Sequence, residues 1–179
     1  NLIKYEDFFF FLSSIAKGYA VQKIHDYLKK QNLNNHLIDI GGEIIISGMN
    51  RGDPWKVGIQ NPDKPNNNII TTISNRDLPF IAIATSGEYR NYRYVNGEII
   101  THTINPNTNK SIDITHKSIT VISINSATRA DAYATALNVM GYKEGMKFAN
   151  KYEIPAMYII NNNDELKLIK SQKWYDLQL

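Results

Sequence analysis

Cysteine is absent from the 179-residue sequence. This absence excludes a disulfide framework, a thiolate nucleophile and a zinc site built on thiolates. The sequence also lacks the run of about eighteen or more apolar residues that a transmembrane helix requires. The aromatic segment at 8–12 is short and is flanked by acidic residues and serines. No transmembrane segment is therefore predicted.

A concentrated basic surface is missing as well. The net charge is +3, and the 20 Lys and Arg residues are scattered among 17 Asp and Glu residues. Proteins that bind nucleic acids usually gather their basic side chains in a patch or stripe. We therefore do not expect a nucleic-acid partner.

The chain begins at Asn1 without an initiator methionine or a signal-peptide pattern. We expect it to be a processed, truncated or excised piece of a longer protein. Hydrophobic residues make up 42% of the sequence, which is enough for the core of one domain of ordinary size. We predict a single domain over residues 1–179.

Strand-like runs outnumber helical segments along the chain. An extended aromatic segment is predicted at 3–12, and helices are predicted at 15–30, 127–140 and 143–151. Strands are predicted at 37–40, 43–47, 55–60, 69–74, 81–85, 91–95, 98–102, 118–124, 156–160 and 166–169, with a polar turn at 48–54. Because helices and strands do not alternate regularly, we predict an α+β fold with a largely antiparallel sheet packed with two or three helices.

The helix predicted at 127–140 carries the most informative motif. Asp131 and Thr135 are four residues apart, so that a carboxylate and a hydroxyl share one helical face. These are hard oxygen donors of the kind that Mg²⁺ prefers, and Gly141 suits the left-handed residue that ends a helix. Local alternatives stay open, because an Asp in the first turn stabilises the helix dipole and a Thr can bond to its own backbone.

A second motif lies at the start of the helix predicted at 15–30. Ser13 or Ser14 is placed to cap this helix, and Lys17 and Gly18 follow. Lys opposes the helix dipole there and Gly weakens the helix, so their presence favours an anion beside the helix N-terminus. The alternative is a solvated surface lysine.

Two further candidates lie at strand ends. Ser86 and Gly87 follow a predicted strand, where a turn can aim N–H groups and a hydroxyl at a phosphate, although many such turns are only turns. His102 also ends a strand and precedes a turn-rich loop that begins near Pro106, so it is placed to line a site. The other histidines are interpreted as surface or satisfied residues, namely His25, His36 and His116.

Together, six motifs resemble the flavin transferase family known as ApbE, formerly described as thiamine-biosynthesis lipoproteins. The motifs occupy residues 12–20, 41–43, 55–62, 85–92, 102–106 and 130–135. Their order and spacing agree with the family, and the resemblance covers the chain from about Leu12 onward. It implies that the N-terminal part of a complete family member lies outside this chain.

The resemblance implies an enzyme that takes FAD as substrate, transfers FMN to a Thr or Ser hydroxyl of an acceptor flavoprotein and releases AMP, assisted by Mg²⁺. The implied metal ligands are the side chains of Asp131 and Thr135 and the backbone carbonyl of Ser14. The residues implied to contact FAD are Lys17, Ser86, Gly87, His102 and Ile104. His102 is the implied catalytic residue, acting as a base near the transferred phosphate.

Four positions depart from the family pattern. Phe11 and Asn105 stand where the family usually has Asp, Asn109 stands where it usually has Gly, and Ala134 stands where some members have an additional acidic ligand. Alternatives to the transferase are therefore an FAD pyrophosphatase, which releases FMN and AMP, and a non-enzymatic flavin-binding protein. By resemblance we expect a periplasmic or membrane-anchored location, and an acceptor such as a subunit of a membrane redox complex.

Overall fold

A computed structural model describes residues 11–64, 68–76, 78–87, 92–95, 98–101, 104–105, 110–111, 116–163 and 165–178. For the four short segments between 92 and 111, only the backbone strands are described. Residues 3–10 of the predicted extended segment lie outside the described residues. The backbone at Leu12 is already helical, with φ −66° and ψ −25°.

The described residues form three helices and fourteen strands. The helices are α1 (Ser13–Lys30), α2 (Ala127–Lys151) and α3 (Gln172–Asp176). The strands are β1 (His36–Ile40), β2 (Glu43–Ser47), β3 (Met49–Asn50), β4 (Asp53–Pro54), β5 (Lys56–Gln60), β6 (Ile69–Ser74), β7 (Phe80–Gly87), β8 (Tyr92–Val95), β9 (Glu98–Thr101), β10 (Ile104–Asn105), β11 (Lys110–Ser111), β12 (Ser118–Ser123), β13 (Ala156–Asn162) and β14 (Glu165–Lys170).

Six strands form one sheet in the order β1-β2-β7-β12-β13-β14, and every neighbouring pair is antiparallel. The other strands form two-stranded antiparallel pairs, namely β3-β4, β5-β6, β8-β9 and β10-β11. The predicted α+β class with an antiparallel sheet is therefore confirmed. Assignment of all of 1–179 to one domain stays a prediction.

Alternating strand residues supply two separate hydrophobic layers, because successive side chains point to opposite faces of a sheet. One face packs against α1 and α2 through small and branched side chains, namely Val21, Ile45, Ala82, Ala84, Val121, Ala130, Ala134 and Leu137. The opposite face packs against the β5-β6 hairpin and α3 through Ile46, Val57, Ile59, Ile73, Ile81, Ile83, Met157 and Trp174. The sheet is thus covered on both faces.

A fully buried asparagine fastens the β5-β6 hairpin to the sheet. The Oδ1 atom of Asn75 accepts a 2.8 Å hydrogen bond from the backbone N–H of Trp55. Its Nδ2 atom donates to the carbonyls of Gly48 and Leu78, both at 2.9 Å. Because unpaired buried amide groups are costly, these three bonds fix how the chain enters and leaves the hairpin.

Helix α2 starts where the sequence predicts, and it breaks where the sequence predicts a helix end. Ser126 caps it by accepting a hydrogen bond from the N–H of Arg129, and Gly141 is non-helical, with φ 72° and ψ 171°. The predicted helices 127–140 and 143–151 therefore correspond to the two helical parts of α2 on either side of the kink at Gly141. The hydroxyl of Tyr158 on β13 donates to the carbonyls of Leu137 and Gly141 at 2.7 and 3.3 Å. These bonds satisfy carbonyls that the kink removes from the helical ladder.

Two local predictions are wrong. Helix α1 has no side-chain cap, because Leu12 occupies the cap position and Ser13 and Ser14 lie inside the first turn, where the hydroxyl of Ser14 donates to the carbonyl of Phe11 at 2.6 Å. Ser86 and Gly87 are predicted to form a turn after a strand, but they are the last residues of β7 and pair with Ile119 and Ser118 of β12. The predicted polar turn at 48–54 is a tight turn at Arg51 and Gly52, flanked by the short β3-β4 pair.

The strands predicted at 91–95 and 98–102 are observed as β8 and β9, which pair antiparallel with Val95 opposite Glu98. Among the described helices, none has the length and apolar character needed to cross a membrane.

Candidate active site

A cleft of about 1050 Å³ opens where β2 begins and β7 ends. Both helices α1 and α2 border it on one side, and the β5-β6 hairpin borders it on the other. Its charged and hydroxyl-bearing lining residues include Ser14, Lys17, Glu43, Ser86, Asp131 and Thr135. Its apolar lining residues include Ile44, Val57, Ile59, Ile69 and Ile83. The cleft therefore combines a charged end with an aliphatic wall.

The Asp131 carboxylate joins α2 to α1 at the charged end. Asp131 is 3% exposed, and its Oδ2 atom accepts a 2.8 Å hydrogen bond from the backbone N–H of Gly18. Burial raises the pKa of Asp131, while this hydrogen bond and nearby Lys17 oppose the rise. In an α-helix the N–H of residue 18 ordinarily donates to the carbonyl of Ser14. Asp131 thus competes with that carbonyl for one donor.

Close approach of the two helices explains the glycine at position 18. A Cβ atom there would lie 2.5 Å from the carbonyl oxygen of Ala127 and 2.6 Å from the Cβ atom of Asp131. The N–H of Ala127 in turn donates to the Oε1 atom of Gln22 on α1 at 2.9 Å. Gly18 is therefore required by packing, and the packing brings the backbone of α1 to the Asp131 carboxylate.

A buried ion pair lies beside Asp131. The Lys17 Nζ atom is 2.5 Å from the Oε2 atom of Glu43, and the side chains are 49% and 3% exposed. Burial raises the pKa of Glu43, the bond and charge of Lys17 lower it, and the charge of Asp131 raises it further. Two buried carboxylates thus share one half-exposed lysine. A cation bound nearby would compensate the remaining negative charge.

The paired glycines place Glu43 at the cleft. Gly41 and Gly42 have φ values of 61° and 100°, a region that side chains disfavour, and they form the tight turn from β1 to β2. The N–H of Gly42 donates to the Oδ1 atom of Asp39 at 2.9 Å. A Cβ atom on Gly41 would lie 3.7 Å from the Cδ atom of Lys17, so the turn runs directly along the lysine side chain.

One face of α2 continues the polar lining beyond Thr135. Asp131, Thr135 and Asn138 are spaced as i, i+4 and i+7, and all three line the cleft. Asn138 is 2% exposed, and its Oδ1 atom is 2.8 Å from the Nε2 atom of His116. The His116 ring packs edge-on against Tyr158 with 5.0 Å between ring centroids. Asn138, His116 and Tyr158 thus form a connected buried group at this end of the polar face of α2.

Comparison with known proteins decides the family. The sequence profile of the ApbE family matches residues 6–158, which is most of the chain. The chain belongs to the ApbE family. Among curated ApbE relatives, a protein from Vibrio cholerae named FAD:protein FMN transferase is 40% identical over 157 residues, covering 87% of this chain and 46% of that protein. A protein of the same name from Haemophilus influenzae is 35% identical over 161 residues, covering 89% and 45%.

Solved ApbE structures share the fold. The apo flavinyl transferase ApbE of Pseudomonas stutzeri superposes with a TM-score of 0.78 at 30% identity, covering 92% of this chain and 50% of that chain. The ApbE protein of Thermotoga maritima has a TM-score of 0.78 at 27% identity, covering 94% and 53%. The predicted resemblance is confirmed. The chain spans about half the length of the curated relatives it matches.

The cleft gathers most residues that the ApbE resemblance implies. Its lining includes Ser14, Lys17, Ser86, Gly87, Asp131 and Thr135, which come from three separate parts of the chain. Phe11, which departs from the family pattern, also lines the cleft and is 59% exposed. His102 lies outside the described residues. Ile104 is described only as part of β10, without its side chain. The roles of all these residues stay predictions.

Sequence reasoning assigned no role to Glu43 or Asn138. Glu43 belongs to the 41–43 motif, but its ion pair joins residues that are distant in sequence and needs the folded structure to be recognised. The sequence contains a signal that Asn138 lines the same site, because it extends the spacing of Asp131 and Thr135 by another helical turn. His116 was interpreted as a surface or satisfied residue, and the structure shows it buried and hydrogen-bonded.

Proposed function

We propose that this ApbE chain catalyses, or forms the core of a protein that catalyses, Mg²⁺-dependent transfer of FMN from FAD to a Thr or Ser hydroxyl of an acceptor flavoprotein. AMP is the second product. The observation that carries the proposal is the convergence of a lysine, a strand-end hydroxyl and an Asp-Thr pair on one cleft. The names of the similar proteins from Vibrio cholerae and Haemophilus influenzae support the same reaction class.

The size and lining of the cleft suit a dinucleotide. Its volume of about 1050 Å³ reaches the upper end of the range for small-molecule pockets, about 300–1,000 Å³. Its aliphatic wall suits a flat aromatic ring system, and its charged end suits a pyrophosphate. Ser86 and Gly87 at the end of β7 add a hydroxyl and a side-chain-free residue to that end.

The charged end has the chemistry to hold a divalent cation. Asp131, Thr135 and the carbonyl of Ser14 supply oxygen donors, which Mg²⁺ prefers. Glu43 and Asp131 leave excess negative charge beside a single lysine, which fits a cation. Among the described residues, no three His, Cys, Asp or Glu side chains form a metal cluster. Asp131 is the one side chain of these four types among the proposed donors, so the cation would also use oxygens of the FAD phosphates.

The reaction needs alignment and charge neutralisation more than covalent participation by the protein. The oxygen of the acceptor hydroxyl forms a bond to the FMN phosphorus, the bond from that phosphorus to the AMP oxygen breaks, and the hydroxyl proton passes to a base. We assign the base to His102, as predicted from the sequence. Lys17 stabilises the phosphate charge in this scheme. Mg²⁺, when bound, would neutralise charge on the pyrophosphate oxygens.

Mass spectrometry tests the proposal directly. The chain is incubated with FAD, Mg²⁺ and an acceptor domain that carries a suitable Thr, and the acceptor is examined for a mass gain equal to FMN. We expect an adduct with the unmodified chain and a loss of at least about a hundredfold in rate for Asp131→Asn, because charge neutralisation is removed. The matched control is Glu144→Gln, which removes an exposed carboxylate from the same helix.

The outcomes separate the candidate activities. Absence of an adduct, where the Vibrio cholerae relative produces one, contradicts the transferase proposal for this chain. Release of AMP without an acceptor identifies FAD pyrophosphatase activity. FAD binding without turnover, unchanged by Asp131→Asn, identifies a non-enzymatic flavin-binding protein.

The proposed acceptor is a flavoprotein such as a subunit of a membrane redox complex, and the proposed location is the periplasm or the membrane surface facing it. Family resemblance supports both. Fractionation of the producing cells, followed by detection of the protein in periplasmic and membrane fractions, tests the location.

A further inference from the structure

Glu43 is a buried carboxylate of the cleft that the proposed function uses neither as a metal ligand nor as a catalytic group. It is 2% exposed, and its Oε2 atom contacts the Nζ atom of Lys17 at 2.5 Å. That oxygen makes no other hydrogen bond within the described residues. Burying a carboxylate is costly even when it is paired with a cation. The position of Glu43 beside the lysine therefore calls for a structural or functional reason.

The two partners of this ion pair differ in mobility. Glu43 is the first residue of β2, and that strand lies inside the six-stranded sheet between β1 and β7. Lys17 has a long flexible side chain that is 49% exposed, so its ammonium group would otherwise sample many positions. The carboxylate is therefore the fixed partner, and the lysine is the one whose freedom the contact removes.

The turn before β2 supports the same arrangement. Gly41 allows the backbone to run alongside the aliphatic part of Lys17, with 3.7 Å between a Cβ atom at this glycine and the Cδ atom of the lysine. The lysine stem thus lies along the turn while its tip contacts Glu43. The stem and the tip of the Lys17 side chain therefore both lie against residues of the 41–43 motif.

We propose that Glu43 is a positioning residue, which holds the Lys17 ammonium at the charged end of the cleft in the place where it meets a phosphate. This inference rests on the proposed function and adds to it a residue that acts through Lys17. Preorganised charge is more effective than charge that must be ordered during the reaction. The effect should therefore fall mainly on kcat, with a smaller change in the KM for FAD.

A double-mutant cycle with Lys17→Met tests the dependence on the lysine. We expect Glu43→Gln to lower kcat about tenfold alone, within the range of coupling between contacting residues, and to have no further effect in the Lys17→Met background. Glu43→Asp, which keeps the charge, should recover part of the loss. A role confined to folding would instead give equal losses in both backgrounds, and that result overturns the proposal.

Amine labelling tests the position of Lys17 without requiring turnover. An acetylating reagent is applied, and the rate of modification of Lys17 is measured by mass spectrometry. We expect Glu43→Gln to increase this rate several-fold, because the ammonium is released from its partner. The pair Glu144 and Lys147, with an exposed 2.8 Å contact, is the matched control, and Glu144→Gln should leave Lys17 labelling unchanged.

The two assays distinguish the inference from the proposed function. If the unmodified chain transfers no FMN, the proposed function fails, and Lys17 labelling decides whether Glu43 fixes the lysine. Unchanged labelling in both Glu43→Gln and Glu43→Asp overturns the inference even when transfer occurs. Urea unfolding of each variant identifies any that do not fold, and Glu43→Asp is the conservative replacement where Glu43→Gln fails.

Discussion

Replacing Gly18 with alanine tests the helix contact on which the cleft depends. The added Cβ atom would lie 2.5 Å from a backbone oxygen of Ala127 and 2.6 Å from the Cβ atom of Asp131. Neither neighbour is the free end of a flexible side chain, so the clash is relieved only if α1 and α2 separate. Separation lengthens the 2.8 Å hydrogen bond between the Gly18 N–H and the Asp131 carboxylate.

Three contributions determine the size of the effect. Ala stabilises a helix by about 1 kcal/mol relative to Gly. Overpacking at a tight contact costs about 1–3 kcal/mol. Weakening a hydrogen bond to a buried charged group costs about 1.5–3 kcal/mol. The two costs exceed the helix gain, and we expect Gly18→Ala to lower the free energy of unfolding by about 2–4 kcal/mol.

Urea unfolding followed by circular dichroism measures this change, and Gly58→Ala provides the matched control. The three atoms nearest to a Cβ atom at Gly58 all belong to the side chain of Ile69, which is 64% exposed and can move away. We expect the control to change stability by less than about 1 kcal/mol. If Gly18→Ala is as stable as the unmodified chain, the helices are not held together at this point and the reasoning is refuted.

Three further predictions concern the same region. Burial raises the pKa of Glu43 above its ordinary 4.5, so the folded state retains a proton that the unfolded chain releases. The contribution of this protonation to the free energy of unfolding is complete at low pH and is lost as the pH rises through the raised pKa. In EDTA, the urea midpoint of the unmodified chain should therefore fall relative to that of Glu43→Gln as the pH rises above 4.5, and parallel midpoints would contradict this. Tyr158→Phe removes the 2.7 Å bond to the Leu137 carbonyl and should cost about 1–3 kcal/mol in the same assay, whereas Tyr175→Phe, at an exposed side chain, should be neutral within about 0.5 kcal/mol. Mg²⁺ with FAD should raise the melting temperature of the unmodified chain and of Thr135→Ser, but less so that of Thr135→Val; equal shifts in all three would remove Thr135 from the ligand set.

Local sequence signals were sufficient for the start of α2 and for the break at Gly141. Ser126 is a favourable capping residue, and Gly141 adopts the positive φ that glycine allows. The same signals could not show how the carbonyls at the break are satisfied. Their partner is the hydroxyl of Tyr158, which comes from β13. The position of the break is therefore set locally, while its hydrogen bonding depends on a distant strand.

At the start of α1, by contrast, the local sequence signal predicted a cap that the structure does not have. The serines at the helix start predicted a cap, but Ser14 donates to Phe11 and the chain already turns at Leu12. Anion binding was inferred partly from unpaired N–H groups at this end. The N–H groups of Ser14 and Ile15 donate to the carbonyls of Phe11 and Leu12 at 3.2 and 3.1 Å. The predicted anion site at this helix end therefore depends mainly on Lys17, and it stays a prediction.

Side-chain spacing along α2 predicted which residues share the cleft, because a helix fixes the relation between i, i+4 and i+7. The ion pair between Lys17 and Glu43 could not be predicted in the same way. It joins a helix to a strand, and its burial depends on the sheet around β2. Residue identities thus indicated the chemistry of the site, while the balance of charge within it required the tertiary structure.

The hydrogen bond from Gly18 to Asp131 spans 113 positions of the chain. During synthesis, α1 and β2 leave the ribosome before Asp131 does, so the proposed ligand set cannot form until α2 has also emerged. In the folded protein, a ligand that contacts both α1 and α2 would hold the two helices together. Opening of α1 would then require release of the ligand, so hydrogen exchange of the α1 amides should slow when the cleft is occupied.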